Sequence, residues 1–191
     1  TPRLAIGEIL RYRIEIRLVE GTNNDLILRD QLPAGQVFLN DNTAKVAFVA
    51  TDPLNLSSSD TAAGDVDGIS DLAAFFSGND PSGIVPTVSL GDTNISQSLS
   101  SNNDNFGNGT DVYFKLGDVF NGESDADQEF AIVEFNVLVA NETQNYAGRQ
   151  RGNRFSVYVD QDGDENAEST EIVETSSYTY VRIVEPGMEV L

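Results

Sequence analysis

Apolar and charged residues alternate strictly in Leu10-Arg-Tyr-Arg-Ile-Glu-Ile-Arg-Leu18. Leu10, Tyr12, Ile14, Ile16 and Leu18 face one way and Arg11, Arg13, Glu15 and Arg17 the other. A period of two is the pattern of a strand with one buried and one wet face. Phe130–Val139 repeats it, with Val133, Phe135, Val137 and Val139 on a common face. Shorter runs at 25–29, 36–39, Lys45–Val49 and 112–116 predict further strands, and Val157, Val159 and 177–184 complete the set. The breaks between them, Glu20-Gly-Thr-Asn-Asn24 and Leu32-Pro-Ala-Gly35, carry the residues that favour turns. Only 70–76, with Leu72, Phe75 and Phe76, invites a helix. Short alternating strands separated by Gly, Asn and Pro predict an all-β fold, an antiparallel β-sandwich.

Residues 51–110 differ in composition. They are rich in Ser, Asn, Asp and Gly, with one β-like run at Gly83-Ile-Val-Pro-Thr-Val-Ser-Leu90. This stretch reads as a long loop insertion within a sandwich unit spanning residues 1–185. Glu185-Pro-Gly187 then reads as a stiff link, and 186–191 as a linker strand toward a following repeat or subunit. Arginine is absent between Arg29 and Arg149. Arg11, Arg13 and Arg17 are expected to solvate one sheet face. The alternative is that they pair with the acidic middle of the chain.

Charge and missing residue types narrow the function. The 31 acidic and 11 basic side chains give a formal charge of −20 over 191 residues. Such a surface repels phosphates and anionic lipid heads, which argues against nucleic acid and membrane insertion. With no cysteine there is no disulfide framework or thiol nucleophile. With no histidine there is no Ser-His-Asp triad, and the usual general base is missing. No run of 18 apolar residues and no leader opens the chain, so Thr1 is expected to be internal to a longer precursor. Four Asn-X-Ser/Thr triplets, at Asn55, Asn94, Asn108 and Asn141, match the glycosylation pattern but arise readily in Asn-rich loops. Glycosidase chemistry by paired acids is disfavoured, because there is no tryptophan to form a sugar platform.

The acids are grouped in metal-like spacings. In Asp160-Gln-Asp-Gly-Asp-Glu-Asn-Ala-Glu-Ser-Thr-Glu171, Asp160, Asp162 and Asp164 alternate, with Glu168 and Glu171 behind them. Alternating carboxylates can curl around one hard cation, and Ca²⁺ takes six to eight oxygens at roughly 2.3–2.6 Å. The acids match the EF-hand loop, but Gly163 precedes the usual glycine place, which holds Glu165, and the flank Phe155-Ser-Val-Tyr-Val159 is strand-like. A calcium loop joining β-strands is therefore expected. Asp160, Asp162, Asp164 and Glu171 would be ligands, Asn166 would supply a backbone carbonyl, and Glu168 would bind directly or through water. Weaker second sites are expected at Asp65, Asp67 and Asp71, and at Asp118, Asp125 and Asp127 with Asn121 and Glu129 nearby.

Several segments carry a family resemblance. Ile6-Gly-Glu-Ile-Leu-Arg-Tyr-Arg-Ile-Glu-Ile16, Arg29-Asp-Gln-Leu-Pro-Ala-Gly35, Leu116-Gly-Asp-Val-Phe-Asn121 and Glu134-Phe-Asn-Val-Leu-Val-Ala-Asn141 are four of them. With Asn145-Tyr-Ala-Gly148 and Gly152-Asn-Arg-Phe-Ser-Val157, they resemble the DUF11-type, isopeptide-forming fimbrial-like conserved repeat domains of bacterial surface proteins. The resemblance covers 4–50 and 111–191. It implies an immunoglobulin-like β-sandwich in a long, secreted or cell-surface repeat protein that serves as stalk, adhesin or filament component. It also implies a Lys on an early strand bonded to an Asn on a late one. Asn153 sits in the late motif, but the early strand carries arginines, and Lys45 and Lys115 are the chain's two lysines.

These features converge on a non-enzymatic, calcium-stabilised structural module that assembles end to end with neighbouring repeats or identical subunits. The alternative is a recognition module that binds a carbohydrate or protein ligand through residues 51–110.

Overall fold

The computed structural model describes residues 1–50, 56–59, 81–164 and 166–184. Among them the chain forms sixteen strands, no α-helix and one 3-10 turn at Pro81–Gly83. The first half supplies β1 (Arg3–Ala5), β2 (Ile9–Arg17), β3 (Gly21–Asn23), β4 (Ile27–Asp30), β5 (Gln36–Phe38), β6 (Lys45–Val49), β7 (Leu56–Ser58), β8 (Val88–Ser89) and β9 (Ile95–Ser96). The second half supplies β10 (Val112–Lys115), β11 (Val119–Asn121), β12 (Phe130–Val139), β13 (Gln150–Asn153), β14 (Phe155–Tyr158), β15 (Ile172–Thr175) and β16 (Thr179–Val184). The predicted helix at 70–76 and the linker strand at 186–191 lie outside the described residues. No helix among the described residues is long and apolar enough to cross a membrane.

Two sheets make the sandwich, in the orders β2-β12-β6-β8 and β15-β14-β4-β10-β9. β12 is central: it pairs antiparallel with β2 from Phe130↔Arg17 to Leu138↔Ile9, and with β6 and β5 on its other side. That register places Ile14, Ile16, Val46, Phe48, Val133, Phe135 and Val137 on the inner face, against Leu28, Val112, Phe114 and Val157 of the second sheet. Phe114 and Phe135 lie 4.8 Å apart between ring centres, and Phe38 and Tyr12 close around Phe135 at 5.9 and 5.7 Å. Burial of each such ring is worth about 2–3 kcal/mol, so this cluster is the main glue between the sheets. The outer side of the first sheet is also partly covered. Ala47, Val49, Phe130 and Ile132 form a second cluster with Ile84 packed on it.

Smaller sheets, β3-β11-β7 and β1-β16-β13, flank the sandwich, and β1 lies parallel to β16. The described parts of 51–110 lend short edge strands: β7 to β11, β8 to β6 and β9 to β10. Arg13 pins this stretch, donating to the Ile84 carbonyl at 2.7 Å and the Pro81 carbonyl at 2.8 Å. Arg11 and Arg13 also grip Glu134 at 2.8 and 2.9 Å. Burial raises the Glu134 pKa, but the two guanidiniums outweigh it and hold the carboxyl below its ordinary range. Arg11 and Arg13 therefore do more than solvate a face. The reason is tertiary: β12 brings Glu134 directly opposite Arg13 and diagonally across from Arg11.

Candidate metal centre

The loop 159–171 joins β14 to β15 at one end of the second sheet, and two contacts fix it to the turn before β4. The Asp160 N–H donates to the Asn24 carbonyl at 2.9 Å, and the Ala167 N–H to Asp25 Oδ2 at 2.8 Å. Within the loop each acid turns the chain toward itself. Asp160 Oδ1 accepts from the N–H groups of Asp162 (3.1 Å) and Gly163 (2.8 Å), Asp162 Oδ1 from Asp164, and Asp164 Oδ1 from Asn166. Gly163 has φ +82°, a conformation that glycine adopts without steric cost. Glu171 returns from the far side: its two oxygens accept from the N–H groups of Gln161 (2.7 Å) and Glu168 (2.8 Å).

This winding gathers the predicted acids. One carboxylate oxygen each from Asp160, Asp162 and Glu171 lies within 4.8 Å of the other two, and so does a set from Asp162, Asp164 and Glu168. Asp162 belongs to both triads. Asp160 and Glu171 are buried while Asp162 and Asp164 face solvent, so the basin has a floor and an open mouth. Asn166 lies in the same loop, with its side-chain amide donating to the Asp164 carbonyl at 3.1 Å. The backbone donors keep Glu171 ionised below its ordinary range. A hydrogen bond shared with Glu171, aided by neighbouring negative charge, pushes Glu168 up to about 7. Five hard oxygen donors on so short a loop fit the ligand chemistry of Ca²⁺.

The other predicted clusters fare differently. Asp65, Asp67 and Asp71 lie outside the described residues. Asp118 Oδ1 accepts from the Asp25 N–H at 2.9 Å, on the turn that supports the 159–171 loop. Asp125 is gathered instead with Glu129 and with Glu123. The alternation of acids does not single out Glu123 or its partnership with Glu129, although both flank Asp125 in one acidic loop. The Asp127 N–H donates to Asp125 Oδ1 at 2.9 Å.

Asn153 is buried, and its Nδ2 donates to Asp30 Oδ2 at 2.9 Å. Tyr12, Arg13 and Arg154 line the small cavity beside that pair. The lysine amino groups lie elsewhere, with Lys45 Nζ donating to the Thr87 carbonyl and Lys115 Nζ to the Ser101 carbonyl. The early-strand place beside Asn153 is thus occupied by Tyr12 and Arg13.

No family model and no curated protein matches the chain. Among solved structures it is similar to the collagen-binding domain of a Staphylococcus aureus adhesin, with 10% identity and a TM-score of 0.39. That alignment covers 91% of this chain and 87% of that one. It is also similar to the collagen-binding subdomain of the Enterococcus faecalis surface protein ACE, with 13% identity, a TM-score of 0.37, and coverage of 95% and 93%.

Proposed function

We propose that this chain is a non-enzymatic β-sandwich module of an extracellular or cell-surface protein, stabilised by calcium bound in the loop 159–171. The convergence of Asp160, Asp162, Asp164, Glu168 and Glu171 in two triads that share Asp162 carries the reading. A cation there ties together the β14–β15 hairpin, which is already bonded to Asn24 and Asp25 at the start of β4. Its binding free energy adds to folding stability, about 2.7 kcal/mol when free calcium is a hundredfold above its dissociation constant. Millimolar calcium outside the cell suits a loop of this kind, and the −20 charge is relieved by bound cations. End-to-end assembly with neighbouring repeats or identical subunits completes the proposal. Calorimetric titration of Asp162→Ala against the parent tests the site. Loss of at least one bound calcium is expected, and equal uptake by both proteins would sink it.

A second reading, recognition of a carbohydrate or protein ligand, has one supporting observation. Tyr178 and Tyr180 are exposed on β16 and the residues before it, 6.0 Å apart between ring centres. Gly152 lies beneath them with no room for a side chain, so the rings rest on bare backbone.

A further inference from the structure

The loop 122–129, between β11 and β12, holds a carboxylate cluster separate from the one above. Glu123 and Glu129 are 5% and 4% exposed, while Asp125 faces solvent. One carboxylate oxygen from each of the three lies within 4.8 Å of the others. Acids in a loop crowd together for many reasons, so proximity alone decides nothing. The decisive feature is the Glu129 carboxylate. Its Oε2 accepts from Asn121 Nδ2 at 3.0 Å, but its Oε1 is enclosed and has no hydrogen-bond partner. A buried carboxylate oxygen without a donor, on a side chain clustered with two more carboxylates, is costly unless a positive charge sits there. Asp125, Asp127 and Glu129 line a solvent-open cleft of about 610 Å³, which gives an ion a way in.

We propose that Glu123, Asp125 and Glu129 bind a divalent cation, Ca²⁺ by the chemistry of its ligands, independently of the loop 159–171. Three carboxylates from one short loop suit calcium's flexible, oxygen-rich coordination. Magnesium more often keeps its waters and takes one or two carboxylates. The remaining coordination places face the cleft and are open to water. Bound there, the ion fastens the end of β11 to the start of β12, the central strand of the first sheet. The Glu129 carbonyl also accepts from the Leu18 N–H at 2.8 Å, so the segment 18–25 is held by both acidic loops, this one at Leu18 and the other at Asn24 and Asp25.

Calcium titration of the ¹⁵N-labelled parent should move the amide resonances of 121–129. If calcium leaves those resonances in place, a shared proton rather than a metal satisfies Glu129 and the proposal is wrong. Calorimetry in the Asp162→Ala background then isolates this site. Glu129→Gln keeps an oxygen for Asn121 but turns an amide nitrogen toward the cation, so calcium binding should weaken at least about tenfold. Unchanged binding by the double variant would overturn the assignment. The two sites also fail separately. If Asp162→Ala binds no calcium while the parent binds one, this site falls and the 159–171 site stands. If both proteins bind one, the reverse holds.

Discussion

Asp30 offers the sharpest energetic test of the fold. It is 2% exposed on β4, and burial pushes its carboxyl up to about 8, against the opposing hydrogen bond from Asn153 and with a small push from Asp111. Asp30 Oδ1 and Asn153 Oδ1 are both buried without partners, while Asn153 Nδ2 bonds Asp30 Oδ2. A proton on Asp30 Oδ1, aimed at Asn153 Oδ1, would close an acid–amide ring and satisfy both atoms. The unfolded chain releases that proton near pH 3.8, whereas the native state keeps it to about pH 8. Native protein thus binds one more proton across that window. The stability contributed by Asp30 is complete below about pH 4 and declines as pH rises through 8. Each pH unit costs about 1.4 kcal/mol, so about 4 kcal/mol is lost between pH 5 and pH 9. Asp30→Asn removes the titration and preserves both hydrogen bonds as an amide–amide ring. Urea unfolding followed by far-ultraviolet dichroism should place variant and parent within about 1 kcal/mol at pH 5. By pH 9 the variant should be the more stable by about 4 kcal/mol. A difference that stays flat from pH 5 to 9 would refute the protonated pair.

Two further substitutions probe the packing and the polar supports. Phe135→Ala opens a void against Phe38, Phe114 and Tyr12, and should cost about 3–5 kcal/mol in denaturant midpoint analysis. Asn145 donates to the Gly35 carbonyl at 2.6 Å and the Ala140 carbonyl at 2.9 Å, and accepts from Arg151 Nε. Asn145→Ala removes all three bonds, but the Gly35 and Ala140 carbonyls keep the backbone N–H groups of Ala140 and Glu142. The buried Arg151 guanidinium is the group left stranded, and the cost should be about 2–3 kcal/mol by the same assay. A loss below about 1 kcal/mol in either variant would show that the site relaxes or admits water.

Strands with strong internal alternation are legible in the sequence itself. Phe130–Val139 and Lys45–Val49 form with the bounds the pattern implies, and β2 shifts by one residue, because burial of one face sets both strand and register. Gly21–Asn23 reads as a turn but forms β3, since its strand geometry comes from pairing with β11. Ile172–Thr175 is exposed at every position, so β15 has no alternation to detect and exists through β14. β7, β8 and β9 are two or three residues long and depend on partners far away in sequence. The gathering of acids in 159–171 is legible because their spacing is local. The loop's anchors on Asn24 and Asp25 are not, because they arise from how the β14–β15 hairpin meets the start of β4. The importance of Glu129 emerges only where burial isolates one of its oxygens.

The central claim is that calcium in the loop 159–171 stabilises the sandwich, and thermal unfolding in calcium and in chelator tests it most directly. At free calcium a hundredfold above the dissociation constant, about 2.7 kcal/mol of linkage should raise the melting temperature of a domain this size by about 5–10 °C. Asp162→Ala, which removes the carboxylate shared by both triads, should lose most of that rise. A parent protein that melts at the same temperature in calcium and in chelator would contradict the account.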